Sequence, residues 1–121
     1  MSERKVWIVN DYAHDFSPAK KYGEFIAITE GRINPFNHHE LFLEIAEKIK
    51  DASSDDFLLV CGNQALNDYC ILAWMLLHGK VRLLIYDSLH NRYLIRDLTM
   101  WDLCRKLGIS PQEVIQRWED V

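Results

Sequence analysis

Phe57-Leu58-Leu59-Val60-Cys61-Gly62-Asn63-Gln64 is the stretch that decides the fold. Five consecutive apolar residues without polar alternation mark a strand covered on both faces. The run stops at Gly62, and Ala65 to His78 continues as a helix closed by Gly79, where a left-handed residue is wanted. Val81-Arg82-Leu83-Leu84-Ile85-Tyr86 then opens another strand. Strand, helix and strand in that order give parallel pairing through a right-handed crossover.

The same grammar repeats outward from this unit. Val6-Trp7-Ile8-Val9 and Phe25-Ile26-Ala27-Ile28-Thr29 are two further apolar runs. Ser17-Pro18 can cap and start a helix of one to two turns between them, stopping at Gly23. Before Phe57, Asn37 and Glu40 fit a capping box, and Leu41, Phe42, Ile45, Ala46 and Ile49 make one apolar stripe. On the other side, Ser88-Leu89-His90-Asn91 is short enough to make Arg92-Tyr93-Leu94-Ile95-Arg96 the second arm of an antiparallel hairpin. Its alternation of basic and apolar residues marks an edge strand.

Two helices complete the chain, Leu98 to Leu107 ending at Gly108, and Ser110-Pro111-Gln112-Glu113 opening a second through Trp118. Trp101, Leu103, Leu107, Ile109, Ile115 and Trp118 are expected to pack this pair onto the sheet; failing that, they form an aromatic patch suited to a partner. The expectation is one α/β domain over residues 1–121, with a core over 1–97 and the helical pair over 98–121. Its architecture is a three-layer Rossmann-like or flavodoxin-like sandwich of four mostly parallel strands plus an antiparallel edge strand, in the order 2-1-3-4-5.

The chain has 121 residues, 49% of them hydrophobic and 26% charged, which suits one self-sufficient domain and excludes disorder. Residues 1–60 carry 7 basic and 11 acidic groups and residues 61–121 carry 7 of each, so the net charge of −4 lies in the first half. Scattered basic residues and an acidic balance make nucleic acid an unlikely partner class, and Trp118-Glu119-Asp120 is a poor major-groove surface. The charged start leads into only four apolar residues, and the longest apolar stretch is Tyr69 to Leu77, so neither a secretory leader nor a membrane span is expected. Cys61, Cys70 and Cys104 form an odd set without C-x-x-C spacing, as structural thiols do in a bacterial or host cytosol.

A ligand in such a sheet lies beyond the carboxyl ends of the strands, where the strand order reverses. That crevice falls between the first and third strands and gathers Asn10, Asp11, Tyr12 and His14 with Gly62, Asn63 and Gln64, bordered by Glu30, Arg32 and Asp87. The Gly62 turn has two readings: an anion cradle at a helix start, or a tight turn in which Asn63 caps the helix. His14, Asp11 and Asp15 are the acid/base candidates if the protein is an enzyme, with His38 or His39 as possible additions. No H-x-x-x-H or H-E-x-x-H spacing exists, so neither metal nor cofactor is expected. Cys61 and Ser88 lack the setting of a nucleophile. Lys80, Arg82, Arg92 and Arg96 on the hairpin either bind an acidic group or guard the edge strand.

The pattern Val9-Asn10…His14-Asp15…Ser17-Pro18-Ala19…Tyr22-Gly23-Glu24 and Thr29-Glu30-Gly31 resembles small Rossmann-like proteins of tailed bacteriophages. Asp55-Asp56-Phe57…Gly62…Leu66-Asn67 and His78-Gly79-Lys80-Val81…Leu84-Ile85-Tyr86-Asp87 extend the likeness over residues 6–97. The resemblance implies a fold and a phage setting and transfers no catalytic residue. Two functions compete. One is a cytosolic binding module, a phage accessory protein that engages a host protein or sequesters a small ligand. The other is an enzyme or sensor acting on a nucleotide or related phosphate at the crevice. The apolar helix 65–78 adds the expectation of a homodimer.

Overall fold

The structure is a computed structural model that describes residues 3–34 and 38–119. Five strands form one sheet: β1 (Lys5–Asp11), β2 (Glu24–Glu30), β3 (Phe57–Leu59), β4 (Lys80–Asp87) and β5 (Arg92–Thr99). A 3-10 helix (Ser17–Tyr22) connects β1 to β2, α1 (His38–Ile49) connects β2 to β3, and α2 (Gln64–His78) connects β3 to β4. After β5 come α3 (Met100–Leu107) and α4 (Pro111–Glu119). The strand order is β2-β1-β3-β4-β5, as the sequence leads one to expect. All pairs are parallel except β4 with β5.

The two-residue alternation of the strands splits the core in two. Trp7, Val9, Leu58 and Leu83 point to the face covered by Ile45 and Ile49 of α1 and by Leu66, Cys70 and Trp74 of α2. Val6, Ile8, Phe57, Leu59, Leu84 and Tyr93 point to the other, where Phe16 and Ala19 cover them. The β1 run is buried on both faces, which is why it carries no polar alternation. Among the described residues the second face is covered by the six-residue 3-10 helix segment, so the third layer of the expected sandwich is thin.

Two features, one polar and one steric, set the register of β1. Asp56, buried beside β3, accepts from Lys5 N and Trp7 Nε1, both at 3.0 Å, and from Ser53 N at 2.9 Å. Gly23 brings the start of β2 against β1: with φ +150° it passes so close that a Cβ would lie 2.2 Å from the Arg4 carbonyl oxygen. Only glycine fits there.

Four expectations are corrected. The third strand ends at Leu59, and Cys61 N turns out of the ladder to donate to Asn67 Oδ1. The fifth strand runs on through Leu98 to Thr99, whose side chain then caps α3 by accepting from Asp102 N, so the helical tail starts at 100. Ser17 does not cap the 3-10 helix; its own N–H donates to Asp15 Oδ1 instead. Of the tail side chains expected on the sheet, Trp101, Leu103, Leu107, Ile115 and Trp118 are 50–63% exposed and Ile109 is half-buried, and α4 has no fully buried residue. The reason is that α3 is anchored through Cys104, its buried residue, and through Met100 N donating to Gly79 O, which leaves the rest of its apolar arc facing outward. The Asn37 half of the first capping box lies outside the described residues.

Candidate functional site

A crevice of about 370 Å³ opens at the carboxyl ends of β1, β3 and β4. It is lined by His14, Asp15 and Phe16 after β1, by Val60, Cys61 and Gly62 after β3, and by Tyr86, Asn91 and Tyr93 of the hairpin. Ala13 takes a left-handed φ of +59°, an uncommon conformation for a residue with a Cβ, and turns the chain into His14, whose ring meets Phe16 edge-on at 5.9 Å. Asp15 is held below the usual carboxylate range by the Ser17 amide and hydroxyl.

The opposite wall is aromatic. The Tyr86 and Tyr93 rings stand 5.2 Å apart at 52°, and Tyr86 Oη donates to Asn91 Oδ1 at 2.6 Å. Asn91 itself has φ +48°, which suits asparagine in a hairpin turn. Burial pushes the Tyr93 hydroxyl up to about 12, with Cys61, Tyr86 and Asp15 adding to the shift. The Cys61 thiol is likewise raised, chiefly by burial; its Sγ donates to Asn10 O at 3.3 Å, and Asp11 pushes it further up. A desolvated thiol of this kind is a poor nucleophile.

Of the residues expected at the crevice, the structure gathers His14, Asp15 and Gly62. Asn10 lies buried beneath, with its Oδ1 accepting from Thr29 Oγ1 at 3.1 Å, while Asp11 and Tyr12 are exposed. Glu30 lines a separate depression with Leu41 and Lys48, and Arg32 another with Glu40 and Glu44. Asp87 turns to the opposite face from Tyr86 and binds His90 Nδ1 at 2.8 Å and Arg92 Nε at 3.1 Å. Tyr86, Asn91 and Tyr93 are lining residues that the sequence reading does not name; strand parity is the signal for Tyr86 and its partner Tyr93, because Tyr86 is two residues from buried Leu84 and shares its face, whereas Asn91 comes in with the turn.

The Gly62 turn takes the capping form. Asn63 Oδ1 accepts from Ala65 N at 2.8 Å and Leu66 N at 3.3 Å, so the side chain occupies the donors an anion would use. Among the described residues no lysine or arginine lines the crevice. Arg82 and Arg92 on the hairpin pair with Asp97 and Asp87 at 3.2 and 3.1 Å. Among the described residues no three His, Cys, Asp or Glu side chains gather as metal ligands, and no helix is long and apolar enough to cross a membrane.

Comparison with curated proteins and with solved structures gives no match. A family profile does match, over residues 4–100, which takes in the whole sheet and stops where α3 begins. The chain belongs to the phage Pam3 gp32-like protein family.

Proposed function

We propose that this phage-family protein is a binding module without chemistry of its own, and that it works by protein contact through the apolar faces of α2, α3 and α4. The observation that carries the reading is α4. Pro111, Val114, Ile115 and Trp118 fall at i, i+3, i+4 and i+7 and form one apolar stripe, yet no residue of this nine-residue helix is buried. A helix that short is marginal in water without tertiary packing. Leu72 and Leu76 on α2 are also exposed, at 52% and 61%, as are Trp101, Leu103 and Leu107 on α3.

A second copy of the chain is the occupant that fits. Asp102, Glu113 and Glu119 balance Arg105, Lys106 and Arg117 on the tail helices, with Arg105 paired to Asp102 within α3 at 2.8 Å, so two copies can meet there without net repulsion. The strand order and parallel crossovers also support a Rossmann-like reading of the core, with the contact surface carried on elements added beyond it.

Sedimentation of the full chain tests this. The native protein is expected at twice the chain mass in the micromolar range, and Leu76→Glu and Trp118→Glu variants at the monomer mass with unchanged helix content. A native protein that stays monomeric throughout overturns the proposal.

A further inference from the structure

We propose that the crevice at the carboxyl ends of β1, β3 and β4 binds a small organic cation, an ammonium group seated against Tyr86 and Tyr93 with Asp15 as its counter-charge. This goes beyond protein contact and uses a different surface from the tail helices.

Three features select that chemistry. The first is the wall: the inclined pair Tyr86 and Tyr93 offers π faces, to which alkylammonium groups are attracted. Tyr86 is 46% exposed, so its ring is accessible, whereas Tyr93 beneath it is buried. The second is charge. Asp15 is the carboxylate in the lining; among the described residues no lysine or arginine lines the crevice, and Lys20 acts on Asp15 only from outside it, as the smallest contribution to its lowered pKa. An anion entering here meets a carboxylate and finds the α2 amides of Ala65 and Leu66 already taken by Asn63. The third is the field. Burial raises Tyr93 and Cys61 most, and the carboxylates of Asp15 and Asp11 add smaller upward contributions to Tyr93 and Cys61 respectively. A volume of about 370 Å³ stands at the small end of ligand sites and suits a compact ligand.

The test titrates choline, its uncharged carbon isostere and AMP into the isotope-labelled full chain, following amide resonances. Choline is expected to shift the Gly62, Tyr86 and Asn91 signals in the roughly millimolar range. The isostere should bind several-fold more weakly, and AMP should leave these signals unmoved. Asp15→Asn keeps the oxygen that accepts from Ser17 N and removes the charge; Tyr86→Leu keeps bulk and removes the ring. Each should weaken choline about two- to five-fold. The indole signals of buried Trp7 and Trp74 report whether each variant keeps its fold. No shift with choline, equal binding of the isostere, tighter binding of AMP, or native affinity in both folded variants would each overturn the inference.

Discussion

Replacing Asp56 with alanine removes the acceptor that ties the start of β1 to the entrance of β3. The residue is 4% exposed, and its carboxylate accepts from Lys5 N, Trp7 Nε1 and Ser53 N at 2.9–3.0 Å. A hydrogen bond to a charged group contributes about 1.5–3 kcal/mol. The three share one acceptor and are not additive, and the partly buried Lys5 and Ser53 amides can be rehydrated. The Trp7 indole N–H cannot, because its bond is buried. The net loss for Asp56→Ala is therefore about 3–5 kcal/mol, out of a typical total of about 5–15. That corresponds to a fall of roughly 10–20 °C in Tm for a domain of this size. Asp56→Asn should lie between the two, since its carbonyl oxygen still accepts while its amide group opposes a donor. Urea unfolding at one fixed protein concentration reads the effect without mixing in self-association. A loss below about 1 kcal/mol for Asp56→Ala, with an unchanged urea slope, would refute the assignment of Asp56 as the clamp on β1.

Gly23→Ala should abolish soluble folded protein, because the new methyl group would press on the backbone carbonyl of Arg4, just before β1, and not on a side chain that can move; normal yield and a native circular dichroism spectrum would count against this. Asn63→Ala should cost about 1 kcal/mol by uncapping α2, with Asn63→Asp close to native, both read by urea midpoints. Asp87 is held below its usual 3.8, first by His90 and then by Arg92. Its contribution is therefore complete above the unfolded value and is lost as pH falls through the lower folded value. Asp87→Asn should flatten that acid limb and leave the rest of the stability–pH curve unchanged in shape.

The order of the sheet was legible because its signals are local. Uninterrupted apolar runs at Val6–Val9 and Phe57–Leu59 announced strands buried on both faces, and Gly79 and Gly108 ended helices where left-handed residues appear. Boundaries were less so. Leu98 and Thr99 carry no mark that separates strand from helix until pairing with Val81 and Lys80 is known. The crevice was half legible: chain topology put His14 and Gly62 together, but the hairpin wall depends on which face Leu84 buries. That is a matter of parity across strands far apart in sequence. The tail misled for a physical reason. An amphipathic stripe says that a helix packs, and does not say against which molecule.

The chain's four tryptophans divide evenly and so report directly on the central claim. Trp7 and Trp74 are 5% and 0% exposed, whereas Trp101 and Trp118 are 63% and 59% exposed in the single chain. Iodide quenching of tryptophan emission, measured across dilution from high to low micromolar protein, asks whether a second copy covers the tail helices. The predicted result is an accessible fraction that is small in concentrated solution and grows on dilution, and that stays large at every concentration in Leu76→Glu. Quenching that is high and independent of concentration in the native protein would contradict a self-contact through α2, α3 and α4.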